Sequence, residues 1–240
     1  MAKLDYKLLI TGDIVIKTGL HIGGSEVDLD IGGIDKEVIK VKHGSGKVPF
    51  IPGSSLKGKL RSLIAKQKGY TSLDEDKDET LKLFAGNGEF KDDRGNKYIG
   101  WMRKDKKDKV ITPIIPSRLI VRDNYLKDAN NYFLEEKTEN NITRATGEAK
   151  PRQLERVTKD TKFSLDMVMD VYIVDDCNKL LETLDLGFQL LKKDYLGGGG
   201  TRGSGQVEIT GLKALKIIFN DDGSITPSEF NLYQFKSNNP

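Results

Sequence analysis

The first segment of the chain alternates apolar and polar residues, with Leu8, Ile10, Ile14 and Ile16 on one side, and reads as a half-buried β-strand. A glycine-rich, acidic stretch follows from Gly19 to Asp35. A short β pair, Val38–Val41 and Val48–Ile51, is then joined through Gly44–Gly46. After Gly53-Ser54-Ser55 the period changes to that of a helix: Leu56, Leu60, Leu63 and Ile64 form one stripe, and Ser54 or Ser55 is placed to cap its free N–H groups. Lys68–Pro116 is polar and irregular, apart from a possible strand at Tyr98–Met102. Leu119–Arg122 reads as a short strand and Asp123–Lys162 as a long polar excursion. The clearest alternation in the chain is Phe163, Leu165, Met167, Met169, Val171 and Ile173. A second helix carries Leu180, Leu181, Leu184, Phe188 and Leu191, and a last strand starts at Val207 and runs to Phe219.

Strand, helix, strand, strand, helix, strand is the order of an α+β, ferredoxin-like fold, in which two helices cover one face of an antiparallel sheet; RNA-recognition modules share it. The expectation is a single domain over 1–240 with insertions at about 20–50, 68–116 and 123–162. Fold analogy alone carries no function, so the insertions have to.

Composition narrows the setting more than the function. Hydrophobic residues make up 37% and charged residues 31%, as in an ordinary globular protein. No apolar run approaches the roughly 20 residues needed to cross a bilayer. Cys177, the single cysteine, rules out an internal disulfide framework, and a reducing cytoplasmic location is expected. The net charge of +3 imposes no global field. Its distribution matters more, with acids at Asp74–Glu79 and bases at Lys57–Arg61, Arg103–Lys109 and Lys150–Arg156, although the plainer reading of each cluster alone is a solvated loop.

Two strings imitate nucleotide sites and fail on context. Gly53-Ser-Ser-Leu-Lys-Gly58-Lys59 matches a phosphate-binding loop until Leu60, which replaces the hydroxyl that would hold magnesium, and its end lies inside the helix. Gly198-Gly-Gly200-Thr-Arg-Gly203 matches a dinucleotide fingerprint but follows a helix and precedes a strand, the reverse of what that site needs. Both segments remain suited to an RNA backbone. A helix N-terminus offers N–H groups and a positive dipole end, Ser54 and Ser55 add donors, and Lys57, Lys59 and Arg61 add charge. The run with Gly199, Gly200, Thr201, Arg202 and Gly203 lets a phosphate chain approach the main chain closely. A capped surface helix and a long turn are the plainer readings. Lys137–Arg156, with Arg144, Lys150, Arg152 and Arg156 among polar residues, is either a protruding RNA-contacting hairpin or a disordered loop. His21, Asp28, Asp30, Asp35 and Glu37 surround the early glycines without a diagnostic metal-ligand spacing; Asp35 alone is a loop acid.

Together, the strings Gly19-Leu-His-Ile-Gly-Gly24, Ile31-Gly-Gly-Ile-Asp35, Ile51-Pro-Gly-Ser-Ser-Leu-Lys-Gly-Lys-Leu-Arg61, Pro151-Arg-Gln-Leu-Glu-Arg156 and Asp194-Tyr-Leu-Gly-Gly-Gly-Gly-Thr-Arg-Gly203 resemble the repeated backbone subunit of the type III-A CRISPR–Cas effector, the Csm complex, in the RAMP superfamily. The resemblance runs from about Leu8 to Ile209 in the right order. It implies that copies stack head to tail along a CRISPR RNA beside the other subunits of the complex, among them a large polymerase-cyclase-like subunit and a small one. It implies guide binding by the helix bearing Ser54, Ser55, Lys57, Lys59 and Arg61 and by the glycine-rich loop. It implies that the insertion with Arg144 and Arg152 is the thumb, a hairpin that displaces a base at regular intervals, and that target RNA pairs with the guide. Asp35 matches the catalytic aspartate, promoting Mg2+- or other divalent-cation-dependent cleavage to a cyclic phosphate, either by holding the metal or by orienting the 2′-hydroxyl. His21 matches an RNA-proximal position with a structural or binding role. Lys68–Asp93, Arg103–Lys109 and the tail after Ile218 depart from the family pattern. Two alternatives stand beside this one. A non-cutting filament subunit would commonly lack the acid at Asp35. A stand-alone guide-processing nuclease would rest on histidine, of which the chain has only His21 and His43.

Overall fold

The computed structural model describes residues 3–24, 36–71, 78–84, 116–220 and 222–232, with the backbone alone of the strands between 86 and 115. Along the chain run β1 (Leu4–Ile16), β2 (Lys40–His43), β3 (Gly46–Ile51), α1 (Gly53–Lys68) and α2 (Asp78–Phe84). Next come β4 (Gly86–Asn87), β5 (Glu89–Lys91), β6 (Lys97–Ile99), β7 (Trp101–Lys104) and β8 (Val110–Ile115). The chain continues through β9 (Leu119–Val121), β10 (Asn124–Tyr125), β11 (Leu134–Ile142), β12 (Ala149–Val157) and β13 (Lys162–Tyr172). It ends with α3 (Cys177–Lys193), β14 (Val207–Phe219) and β15 (Ile225–Phe230).

The main sheet has the order β15-β14-β1-β13-β9, with every neighbouring pair antiparallel. Its register follows from the alternation in the sequence. Leu8, Ile10 and Ile14 stand opposite Met169, Met167 and Phe163, and all six are buried beneath the helices. Burying each of these large side chains stabilises the fold by about 1.5–3 kcal/mol. Leu56, Leu60, Leu63 and Ile64 of α1 and Leu180, Leu184 and Leu191 of α3 complete the same core. The helices cross at Gly187, where the nearest atoms to an added Cβ would be Ile64 Cδ1 and Leu60 Cδ2. On the opposite face of the two central strands, Lys7, Leu9, Thr11 and Asp13 face Asp170, Val168, Asp166 and Ser164. This face is mainly ionic and aliphatic; Tyr172 at the end of β13 also lies on it by alternation, and the Arg118 guanidinium covers its ring at 4.4 Å.

The structure departs from the sequence reading in three places. Neither Ser54 nor Ser55 caps α1: the cap residue is Pro52, which has no capping side chain, and the Gly53 N–H instead donates to Asp123 Oδ1 at 2.8 Å. A Cβ on Gly53 would run into the Val121 carbonyl, so the chain enters the helix pressed against the end of β9. Among its described residues the 68–116 insertion forms α2 and the short strands β4–β8, and the single strand expected at Tyr98–Met102 is divided between β6 and β7. Finally, the chain does not close at Phe219. It turns back through β15, which pairs with β14 from Ala214↔Phe230 to Phe219↔Ile225 and forms one edge of the main sheet.

Candidate nucleic-acid interface

Three loops converge beyond the ends of β1 and β13. Residues 19–24, which follow β1, lie against β12 through paired hydrogen bonds between Leu20 and Val157 of 2.9 and 2.8 Å. The glycine-rich run 197–205 is laced to the same segment. Gly198 N–H donates to His21 O at 2.8 Å and Gly205 N–H to Gly19 O at 3.0 Å. At Gly197, φ is +74°, and a Cβ would collide with His21 O, so only glycine lets the two main chains come together there. The β11–β12 hairpin, in register from Leu134↔Val157 to Ile142↔Ala149, forms the third wall. Between them lies a cleft of about 390 Å³ lined by His21, Lys36, Glu139, Arg152, Gly199 and Arg202 among others.

His21 is buried, and its Nδ1 lies 2.8 Å from Glu155 O. A carbonyl can only accept, so Nδ1 carries the proton; in the neutral ring Nε2 then keeps its lone pair. Glu155 organises the other wall from a buried position. Its carboxylate accepts the Val38 N–H at 2.9 Å and pairs with Lys40 Nζ at 3.0 Å, while its own N–H donates to Lys36 O at 3.0 Å. Burial opposes the charge on Lys40, but Glu155 and Glu37 outweigh it and hold its pKa above the usual lysine value. With Ile39 N–H on Ile22 O at 2.7 Å, this network fixes the chain at Gly24 and again at Lys36. Asp35, assigned by resemblance to catalysis and possible metal binding, lies outside the described residues, as do Asp28 and Asp30. Its neighbour Lys36 lines the cleft. Among the described residues, no group of three or more His, Cys, Asp or Glu is placed to hold a metal ion.

The remaining predicted contacts divide into groups. Arg152 and Arg202 reach the cleft, where Glu139 faces Arg152 across the hairpin and binds Arg202 Nε at 2.8 Å. Lys137 Nζ and Arg202 Nε hold the Glu139 carboxyl below its ordinary range. Gly200, Thr201 and Arg202 form a 3-10 turn flanked by Gly199 and Gly203, both left-handed. Gly200 lies against the Tyr195 ring, whose face also carries Lys59 Nζ at 3.8 Å. Lys59 pairs with Asp194 at 2.7 Å; burial works against that carboxylate, but Lys59 and the Tyr195 N–H hold its pKa low. Arg156 braces the cleft from behind, pairing with Glu135 at 2.6 Å and donating to Ser204 Oγ at 3.1 Å. Lys57 turns inward, with Nζ 2.6 Å from both Ser117 Oγ and Leu119 O. Burial, and then the charge of Arg61, lower its pKa. Ser54 is exposed and Ser55 and Arg61 are half-buried on α1, outside the cleft lining; Arg144 is exposed in the turn of the hairpin. The sequence reading missed Glu155, Lys36, Glu139 and Tyr195. Glu155 had one available signal, an acid between the inward-facing Leu154 and Val157 of an otherwise polar hairpin.

An antiparallel sheet under two helices, with a glycine loop and a basic hairpin closing on a histidine-lined cleft, defines a class of protein, and the RAMP superfamily model matches residues 13–208. The chain belongs to this superfamily, and its curated relatives are Csm3 proteins. It is 37% identical over 229 residues to the CRISPR system Cms endoribonuclease Csm3 of Streptococcus thermophilus, covering 90% of this chain and 93% of that one. It is 36% identical over 220 residues to that of Methanocaldococcus jannaschii, covering 88% and 82%. Among solved structures it resembles a chain of the Csm3–Csm4 subcomplex of the type III-A CRISPR-Cas interference complex, with a TM-score of 0.55, 25% identity and coverage of 98% and 95%. A chain of the type III-B Cmr-beta complex bound to cognate target RNA shares the fold at a TM-score of 0.53 and 17% identity. The resemblance found in the motifs is thus borne out over most of the chain.

Proposed function

We propose that this chain is a repeated backbone subunit of a type III-A CRISPR ribonucleoprotein, which holds the CRISPR RNA and cleaves complementary target RNA at regular intervals. The observation that carries the proposal is the convergence on one cleft of the glycine-rich loop, the β11–β12 hairpin and the two anchored ends of the Asp35 loop. Main-chain N–H groups of the loop, with Arg202 and Arg152, suit a phosphate backbone, which they hold without reading its bases. Sequence is then read by pairing between guide and target. We take the strand order β14-β1-β13-β9 as the ferredoxin-like core of one domain, with the cleft and thumb built from its insertions.

In the reaction, a target 2′-hydroxyl attacks the adjacent phosphorus, the bond to the 5′-oxygen breaks, and a 2′,3′-cyclic phosphate is left on the upstream fragment. Asp35, next to the anchored Lys36, supplies the carboxylate that orients the hydroxyl or ligates a divalent cation. One carboxylate together with RNA phosphate oxygens is a donor set suited to Mg2+. When bound, the cation would neutralise charge on the phosphate. His21, buried with Nδ1 on a carbonyl, shapes the wall of the cleft. The setting is cytoplasmic, and the partners are CRISPR RNA, target RNA, further copies of the chain and the other Csm subunits.

The test is reconstitution of the complex with its guide, labelled complementary RNA and Mg2+, comparing wild type with Asp35→Ala. Evenly spaced cuts that vanish in the variant while target binding persists support the reading. Equal cleavage by both moves the chemistry elsewhere, and binding without cleavage by either leaves a passive filament.

A further inference from the structure

One acid interrupts the basic lining of the cleft. Of the described residues around it, Lys36, Arg152 and Arg202 are cationic and Glu139 alone is acidic. Glu139 stands directly opposite Arg152 in the β11–β12 register, and its carboxylate takes the Arg202 Nε at 2.8 Å and the Lys137 Nζ at 3.0 Å. Lys137 Nζ also donates to Arg202 O at 2.9 Å, so these three residues clasp the hairpin to the 3-10 turn of the glycine-rich loop. The clasp is exchangeable. The Arg202 side chain is 62% exposed, and an ion pair open to water is weak because solvent screens it. A carboxylate and a phosphate diester each offer a guanidinium a pair of anionic oxygens. RNA that follows the cleft therefore meets Arg202 already held by an anion of the protein's own, and a phosphate placed there would face the Glu139 charge. Behind the clasp, Arg156 holds Glu135 and Ser204 Oγ, which ties the base of the hairpin to the loop independently.

We propose that Glu139 is a phosphate surrogate: it occupies Arg202 in the RNA-free chain, and the RNA backbone displaces it. RNA binding then reduces the clasp to the Lys137 bond, so that loading the cleft and loosening the hairpin are one event. This rests on the reading of the cleft as an RNA site and adds how access to it is controlled.

The test is the affinity of the full chain for a fluorescein-labelled oligouridylate of about 15 nucleotides, measured across salt concentrations. Glu139→Gln should bind it about 1.5- to 5-fold more tightly, the range for one exposed ion pair that no longer has to be broken. Arg202→Ala should weaken binding and lower the slope of log K against log salt by about 0.7, one single-strand phosphate contact. In the Arg202→Ala background, the gain from Glu139→Gln should shrink, because the acid acts through that guanidinium. The Arg202 Nε–H resonance reports the clasp without relying on a variant's folding: in the wild-type chain it should shift when the oligonucleotide is added. If that resonance stays in place while RNA binds, the surrogate is overturned. The same holds if Arg202→Ala weakens binding while Glu139→Gln binds like wild type or more weakly, or if the gain is as large without Arg202 as with it; the cleft reading then stands. If the wild-type chain does not bind the oligonucleotide, or neither Arg152→Ala nor Arg202→Ala alters its affinity, both fall.

Discussion

Glu155 offers the sharpest test of how the cleft is built. Its carboxylate accepts one main-chain N–H and one ammonium from an enclosed position, with a side-chain exposure of 7%. Hydrogen bonds to a charged group contribute about 1.5–3 kcal/mol each, and a buried donor left without a partner loses about 1–3 kcal/mol. Glu155→Ala removes both bonds and strands the Val38 N–H, so a loss of about 3–5 kcal/mol is expected. Glu155→Gln keeps an acceptor for Val38 and forfeits the ion pair, for about 1–2 kcal/mol. Urea unfolding ranks the three proteins, and amide exchange locates the change. If the loss is confined to the anchor, Val38 exchange quickens by a factor on the order of 100 in the alanine variant, while amides in β13 keep their protection. The direction for Lys40 can also be checked. Its pKa is raised in the folded protein, so its contribution is complete below the unfolded value of about 10.4 and is lost as pH rises through the folded one. The wild-type advantage over Glu155→Gln should therefore be flat from pH 6 to 9 and shrink at more alkaline pH. Alanine within about 0.5 kcal/mol of wild type, or glutamine worse than alanine, would refute the reasoning.

Arg118 and Asp175 form an enclosed pair, with Nε to Oδ2 at 3.0 Å and side-chain exposures of 4% and 0%. Arg118→Met should cost about 3–5 kcal/mol in urea unfolding, and adding Asp175→Leu should recover part of it; a double variant as costly as the sum of the two single ones would deny the coupling. Asp194 has a depressed pKa in the folded chain, so its contribution is present above its unfolded value of about 3.9 and disappears as pH falls through the folded one. Lys59→Met should therefore lose less stability than wild type between pH 7 and 3, and parallel losses would show that the pair carries no linkage.

The sequence disclosed whatever depended on period. The inward faces of β1 and β13 and the stripe of α1 follow from alternation and helical spacing, because the core selects apolar residues regardless of partner. It disclosed less where a side chain's fate depends on distant partners. Lys57 looks like a phosphate contact in the one-dimensional pattern, yet Ser117, 60 residues on, and Leu119 claim its ammonium. Glu155 resembles any hairpin charge until Val38 and Lys40 fold onto it. The β15 strand was missed because Pro227 and two polar neighbours break the usual strand signal, as is common at an edge. The glycine loop reads in the sequence as a seat for a phosphate chain, whereas the close approach seen at Gly197 is to the protein's own His21 carbonyl.

That edge has a consequence for a chain read as a head-to-tail repeat. Open sheet margins join by strand pairing, a process that has no natural stopping length and leads to amyloid as readily as to a complex. Here β15 occupies the margin next to β14, and its third residue is a proline with no N–H to offer an incoming strand. Growth by strand pairing across this side of the sheet is therefore discouraged.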